Sequence, residues 1–142
     1  AGEMSGHVCF ADNYLGFDDA IFAAGRILQI VAQSNQKVSE MLADLPVTAY
    51  TPEIRIDCPD DKKFEIVSEL TEFFRKQYEV IDIDGVRINF NDGWALIRAS
   101  NTQPVLVLRF EAETQSRLKE LVGIIKKQMD HYQPVVQFDY QA

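Results

Sequence analysis

Between residues 78 and 99 the chain reads YEVIDIDGVRINFNDGWALIRA, and no other stretch restricts its fold as tightly. Asp84 followed by Gly85 is a strong hairpin signal, and Asn91, Asp92 and Gly93 mark a second turn. The flanking segments are strand candidates, in which alternate side chains point to opposite faces. Strands joined by connections this short run antiparallel. A further apolar run, VLVLRFEA at 105–112, continues the sheet after a longer loop.

Upstream, EIRID alternates and sets Ile54, Ile56 and Cys58 on one face. Pro59, Asp60 and Asp61 stop that strand and open a helix whose apolar stripe is Phe64, Val67, Leu70 and Phe74. Thr114 is placed to cap a last helix, where Leu118, Leu121, Val122, Ile125 and Met129 share a face. The order β-α-β-β-β-α predicts an α+β domain: a four-stranded antiparallel sheet with both helices on one face. Its bounds are read as residues 47–133, with 47–51 as the link into it. Residues 134–142 read as a surface tail with one apolar patch.

Residues 1–46 form a separate group. GEMSGH is a glycine-bounded polar loop that runs into a short apolar strand, HVCF. A helix follows, with Phe17, Ile21, Ala24, Leu28 and Val31 at helical spacing, Asp18 as its N-cap, and Phe17 and Phe22 as a staple. A shorter helix, roughly Lys37 to Ala43, ends before Pro46. One strand and two helices are too little for a core, so 1–46 reads as the remnant of a larger α/β domain.

Composition narrows the function. Of 142 residues, 46% are hydrophobic and 25% charged, which is globular rather than disordered. The net charge of −8 supplies no basic stripe for nucleic acid, and no apolar run reaches the length of a membrane span. Neither a signal peptide nor a disulfide framework is expected; Cys9 and Cys58 read as reduced thiols in a cytoplasmic protein.

Against that negative charge, any anion site must be built locally. Residues 98–104, RASNTQP, offer such a site. Arg98 presents a planar fork of donors, Ser100 and Thr102 add hydroxyls, Asn101 adds an amide, and the backbone of a tight loop adds N–H groups. The plainer alternative is a surface loop whose arginine pairs with an acid such as Glu111. In the opening loop, Glu3, Ser5 and His7 alternate and can face one way, where a carboxylate, a hydroxyl and an imidazole suit sugar hydroxyls. The plainer alternative there is a frayed terminus. DIDG at 82–85 lacks the further oxygen ligands of a metal site and reads as a turn. Trp94 reads as packed within the layers, His131 and Lys126 and Lys127 as cations near a helix C-terminus, and Arg109 as either a support for the loop or a solvent-facing residue.

GEMSGH with GFDDAIFAAGRIL, and later GWALIRASNTQPVLVLRFEA, together closely resemble the C-terminal part of the α-D-phosphohexomutase superfamily, in its bacterial phosphomannomutase/phosphoglucomutase branch. The likeness runs to about Tyr132. It implies a four-domain enzyme of which this chain is the end of the third domain and the whole fourth, the latter with a TATA-box-binding-protein-like fold. It implies an isomerase that interconverts hexose 1-phosphates and 6-phosphates: an active-site phosphoserine gives its phosphoryl group to the sugar, the bisphosphate turns round, and the other phosphate returns. By that resemblance Glu3 and Ser5 hold sugar hydroxyls with His7 beside them, and Arg98, Ser100, Asn101 and Thr102 hold the phosphate that is not transferred. The family's phosphoserine and magnesium loops have no counterpart in this sequence. The chain alone is therefore expected to bind no metal, carry no catalytic residue and be inactive, with hexose phosphates and the N-terminal domains as its partners. The competing expectation is a non-catalytic sugar-phosphate-binding or interaction module.

Overall fold

The computed structural model describes residues 1–3 and 5–140. The chain divides into two compact units, Ala1–Pro46 and Val47–Ala142.

In the first unit, helix α1 spans Ala20–Gln33. Its N-cap is Asp19 rather than the predicted Asp18: Asp19 accepts from the backbone N–H groups of Ile21 and Phe22, each at 2.9 Å. The predicted staple becomes an aromatic cluster in which Tyr14 stacks on Phe22 at 3.8 Å between centroids and lies against Phe17. HVCF forms only isolated bridges, Gly2 to Val8 and Cys9 to Asp18, because no neighbouring strand extends either pairing. The expected second helix contracts to one 3₁₀ turn, Val38–Glu40. None of the residues of α1 is buried.

The second unit holds one antiparallel sheet. Its strands are β1 (Ala49–Tyr50), β2 (Ile54–Asp57), β3 (Glu79–Ile81), β4 (Val86–Phe90), β5 (Gly93–Ala99) and β6 (Val105–Ala112). In space the order is β1-β6-β5-β4-β3, with β2 also paired to β6. The five segments read as strand candidates all form strands, although the expected sheet had four; β3 takes Glu79–Ile81 of YEVIDI, and the strand not expected, β1, comes from the supposed link. Thr51 explains that addition. It is fully buried, its N–H donates to the Phe110 carbonyl, and its hydroxyl oxygen accepts from the Phe110 N–H. One side chain thus replaces a backbone acceptor and keeps the chain on β6 between two strand segments.

Helices α2 (Asp60–Arg75) and α3 (Gln115–Met129) cover one face. Strand alternation supplies that face with Ile54, Ile56, Val86, Ile88, Ala95, Ile97, Leu106, Leu108 and Phe110, all buried. The α3 stripe is as predicted, and the Thr114 hydroxyl accepts from the Arg117 N–H at 3.2 Å. On α2 the expected stripe holds at Val67, Leu70 and Phe74 and fails at Phe64. Ile66, Val67, Leu70 and Phe74 are buried, while Phe64 is 56% exposed. Lys63 occupies the buried position in its place, 4% exposed. The spacing 63, 67, 70, 74 follows the helical repeat, whereas Phe64 lies a sixth of a turn or more to the side.

Residues 134–140 are not a surface tail. Val136 and Phe138 are 1% and 2% exposed, and Phe138 stacks on Phe110 at 6.2 Å with 8° between ring planes. The apolar patch that had no place in the sequence reading completes the core on the helix-covered face.

Candidate functional site

The β5–β6 connection carries the predicted anion loop. Residues 95, 97 and 99 of β5 point into the core, so Arg98 points to the other, open face of the sheet. The same alternation puts Arg55, Arg87 and Arg109 on that face, with Arg55 opposite Val107 and both Arg87 and Arg109 opposite Leu96. A chain of net charge −8 thus gathers four arginines on one face of the sheet. Trp94 lies on the open face as well, half-buried, with the Arg87 guanidinium 4.7 Å above its ring.

Arg98 does not pair with Glu111, which accepts instead from the Thr48 hydroxyl at 2.8 Å. Its nearest acid is Asp84, at 3.4 Å from Nη2. The side chain is 40% exposed, and its Nε is buried with no hydrogen-bond partner, as is that of Arg109. The acid near Nη2, Asp84, comes from the hairpin turn. Gly85 has φ +80, and a Cβ built on it would lie 2.4 Å from the Ile97 carbonyl oxygen and 2.7 Å from the Arg98 Cβ. Glycine is required there both for the left-handed turn and for the close approach to Arg98.

The loop is braced at its far end. Ser100 N–H donates to the Val105 carbonyl at 3.0 Å, and the Ser100 hydroxyl oxygen accepts from the N–H groups of Thr102 and Gln103 at 3.4 and 3.2 Å. Gln103 is held by Lys63 and Arg55, and Pro104 by the Cys58 N–H at 2.9 Å. The side chains of Asn101 and Thr102 make no hydrogen bond among the described residues and remain exposed.

The opening loop closes on itself. Glu3 N–H donates to the His7 carbonyl at 2.9 Å, and Gly6 takes φ +92 to make the turn. The Ser5 hydroxyl donates to the Glu3 carboxylate at 3.0 Å, so those two groups sit side by side and exposed. His7 takes a different partner: its Nδ1 pairs with Asp18. The hydrogen bond and charge of Asp18 raise the His7 pKa above the ordinary 6.5. The ring's Nε2 is left for another partner. Met4, between Glu3 and Ser5, lies outside the described residues.

Three contributors escaped the sequence reading. In sequence Asp18 reads as the helix cap, although the doubled aspartate in FDDA signals that one of the pair is spare. Asp84 reads as a turn residue only. Lys63 carried no signal beyond its spacing with Val67 and Leu70.

Magnesium, which the resemblance implies for the whole protein, finds no seat here: among the described residues no group of three His, Cys, Asp or Glu side chains converges. The DIDG acids are engaged by arginines, Asp82 with Arg75 at 2.6 Å and Asp84 with Arg98. No helix is long and apolar enough to cross a membrane.

Comparison with known proteins agrees with these features. Residues 53–128 match the family model "Phosphoglucomutase/phosphomannomutase, C-terminal domain", and residues 1–49 match that for "alpha/beta/alpha domain III" of the same family. A phosphomannomutase/phosphoglucomutase of Pseudomonas putida is 40% identical over 141 residues, covering 99% of this chain and 30% of the relative. A phosphoglucomutase of Neisseria gonorrhoeae is 45% identical over 129 residues, covering 89% of this chain and 28% of the relative. The crystal structure of a phosphoglucomutase/phosphomannomutase family protein from Burkholderia thailandensis superposes with a TM-score of 0.78 at 33% identity, over 98% of this chain and 29% of that one. The chain therefore spans about 30% of the length of these relatives. With both of its units matched in order, it belongs to the phosphoglucomutase/phosphomannomutase family.

Proposed function

We propose that this chain supplies the sugar-binding and phosphate-binding loops of a cytoplasmic phosphohexomutase. The whole enzyme moves a phosphoryl group between the 1- and 6-positions of a hexose by way of a bisphosphorylated sugar. The phosphoserine that gives and regains the phosphoryl group, and the magnesium that assists it, belong to parts of the enzyme outside this chain. Two unpaired thiols, Cys9 and Cys58, suit a reducing compartment.

The observation that carries this reading is the loop at 98–104. Its arginine is tied only loosely, at 3.4 Å, to a half-exposed acid, and Asn101 and Thr102 at the tip keep their side-chain donors unspent. A phosphate dianion rewards such an array with charge-assisted hydrogen bonds of roughly 1.5–3 kcal/mol each. A donor loop of this kind reads a phosphomonoester and little else of its ligand. It therefore serves either end of a sugar bisphosphate, as an intermediate that must turn round requires. In the first unit, the adjacent Glu3 carboxylate and Ser5 hydroxyl accept and donate to neighbouring sugar hydroxyls, with His7 beside them. Hydroxyl recognition away from C2 would admit both glucose and mannose.

The test is a titration of the chain with glucose 1-phosphate and mannose 1-phosphate, followed by amide chemical shifts. Shifts are expected at residues 98–102 and at Glu3, Ser5 and His7, weak in affinity because each loop acts with few neighbours. Arg98→Ala should abolish the loop's response while costing less than about 1 kcal/mol of stability, as for a half-exposed side chain. A loop unresponsive at millimolar sugar phosphate overturns the reading.

A further inference from the structure

The second unit contains a lysine whose position packing alone does not explain. Lys63 is 4% exposed on the core-facing side of α2, where a methionine or leucine would fill the same space without desolvating a charge. Its ammonium has two hydrogen-bond partners. One is the carboxylate of Asp60, a turn earlier on the helix and itself 71% exposed. The other is the backbone carbonyl of Gln103, 40 residues away in the candidate phosphate loop, at 3.0 Å. The Phe64 ring lies 5.2 Å from the same nitrogen.

The loop's construction gives that contact its meaning. A loop that receives an anion must turn its own carbonyl oxygens elsewhere, since each carries partial negative charge. At the C-terminal end of this loop two carbonyls are held by donors from the body of the unit. The Gln103 carbonyl accepts from the Val105 N–H within the chain's return at 2.8 Å and, from the body of the unit, from Lys63 at 3.0 Å; the Pro104 carbonyl accepts from the Cys58 N–H. The Gln103 side-chain oxygen is taken by Arg55. With this stem fixed, the Gln103 N–H is left on the Ser100 hydroxyl, and only Asn101 and Thr102 stand free at the tip.

We propose that Lys63 is a positioning residue of the 98–104 loop: by holding the Gln103 carbonyl inward, its buried ammonium keeps the loop in the shape that receives a phosphate dianion. This rests on the reading of that loop as a phosphate site and names the residue that preorganises it. Lys63 itself does not touch the anion. Its effect passes through one peptide unit, and preorganisation of this kind saves the ordering cost that binding otherwise bears.

Two measurements on the whole chain test the assignment. In the first, inorganic phosphate and glucose 1-phosphate are titrated into the unsubstituted chain and into Lys63→Met. The substitution should weaken both ligands by about tenfold, the order of the cost of fixing one loop residue anew on binding. It should also speed hydrogen exchange at Asn101, Thr102 and Gln103, while the amides paired between β5 and β6 keep their protection. In the second, the Lys63 side-chain nitrogen of the unsubstituted chain is followed directly. It should exchange slowly with solvent and shift as phosphate saturates the loop, a readout that stands even if Lys63→Met fails to fold. Equal affinity in Lys63→Met, or an Nζ signal unmoved by bound phosphate, overturns the role of Lys63 and leaves the phosphate loop intact. A loop that ignores phosphate in the unsubstituted chain overturns both.

Discussion

Gly85 answers two demands with one residue. Its φ of +80 belongs to the hairpin turn, and the space where a Cβ would stand is taken by the Ile97 carbonyl and the backbone of Arg98. Gly85→Ala should therefore destabilise the second unit by roughly 2 kcal/mol or more, through left-handed strain and overpacking together. Denaturant unfolding measures that loss; a change of a few tenths would contradict the geometry. At His7 the expectation concerns pH. Asp18 holds the imidazole in its charged form above the ordinary 6.5, so the pair is fully formed below that value and lost as the pH rises through the raised one. Asp18→Asn should lower the His7 midpoint, followed by the imidazole proton resonances. Both sites show what a sequence discloses of single residues. Glu3, Ser5, His7 and the donors of 98–102 stand in contiguous strings whose residue types already state a chemistry. Lys63 and Gln103 meet across 40 residues, and Asp84 meets Arg98 only because a hairpin folds back on its neighbour. Pairs of that kind are created by the fold and leave no local pattern.

Among the elements, α3 was fully legible because its stripe and its Thr114 cap are local facts. The face of α2 was harder, since Phe64 and Lys63 are adjacent and hydrophobicity favoured the wrong one. What decides between them is helical phase: position 63 repeats with 67, 70 and 74, and position 64 does not. β1 escaped because two residues show no periodicity; they pair with Ala112 and Glu111 of β6 beside the buried Thr51. The segment after Gln133 escaped although Val136, Phe138 and Tyr140 alternate with Gln137 and Asp139: it joins no named strand, and its inward side is set by Phe138 filling the core beside Phe110. Phe138→Ala should cost about 3–5 kcal/mol, as a core aromatic does. Thermal melting checks this, and a nearly unchanged Tm would return the segment to the surface.

For the molecule as a whole, the two units differ in what holds them together. The second has a continuous core running from Ile54 to Phe138; the first has an aromatic cluster and no buried position on its helix. Residues 47–142 alone should unfold in a single cooperative transition with the same midpoint as in the whole chain, whereas 1–46 should exchange its amides early. A single transition shared by both units, shifted when 1–46 is removed, would contradict this. The same contrast bears on handling. In α1, Ile21, Ile27, Leu28 and Ile30 stand 88%, 56%, 68% and 55% open to water, spread around the cylinder instead of along one stripe. Limited proteolysis should therefore cut first within α1, leaving the 98–104 loop and its sheet as the durable fragment.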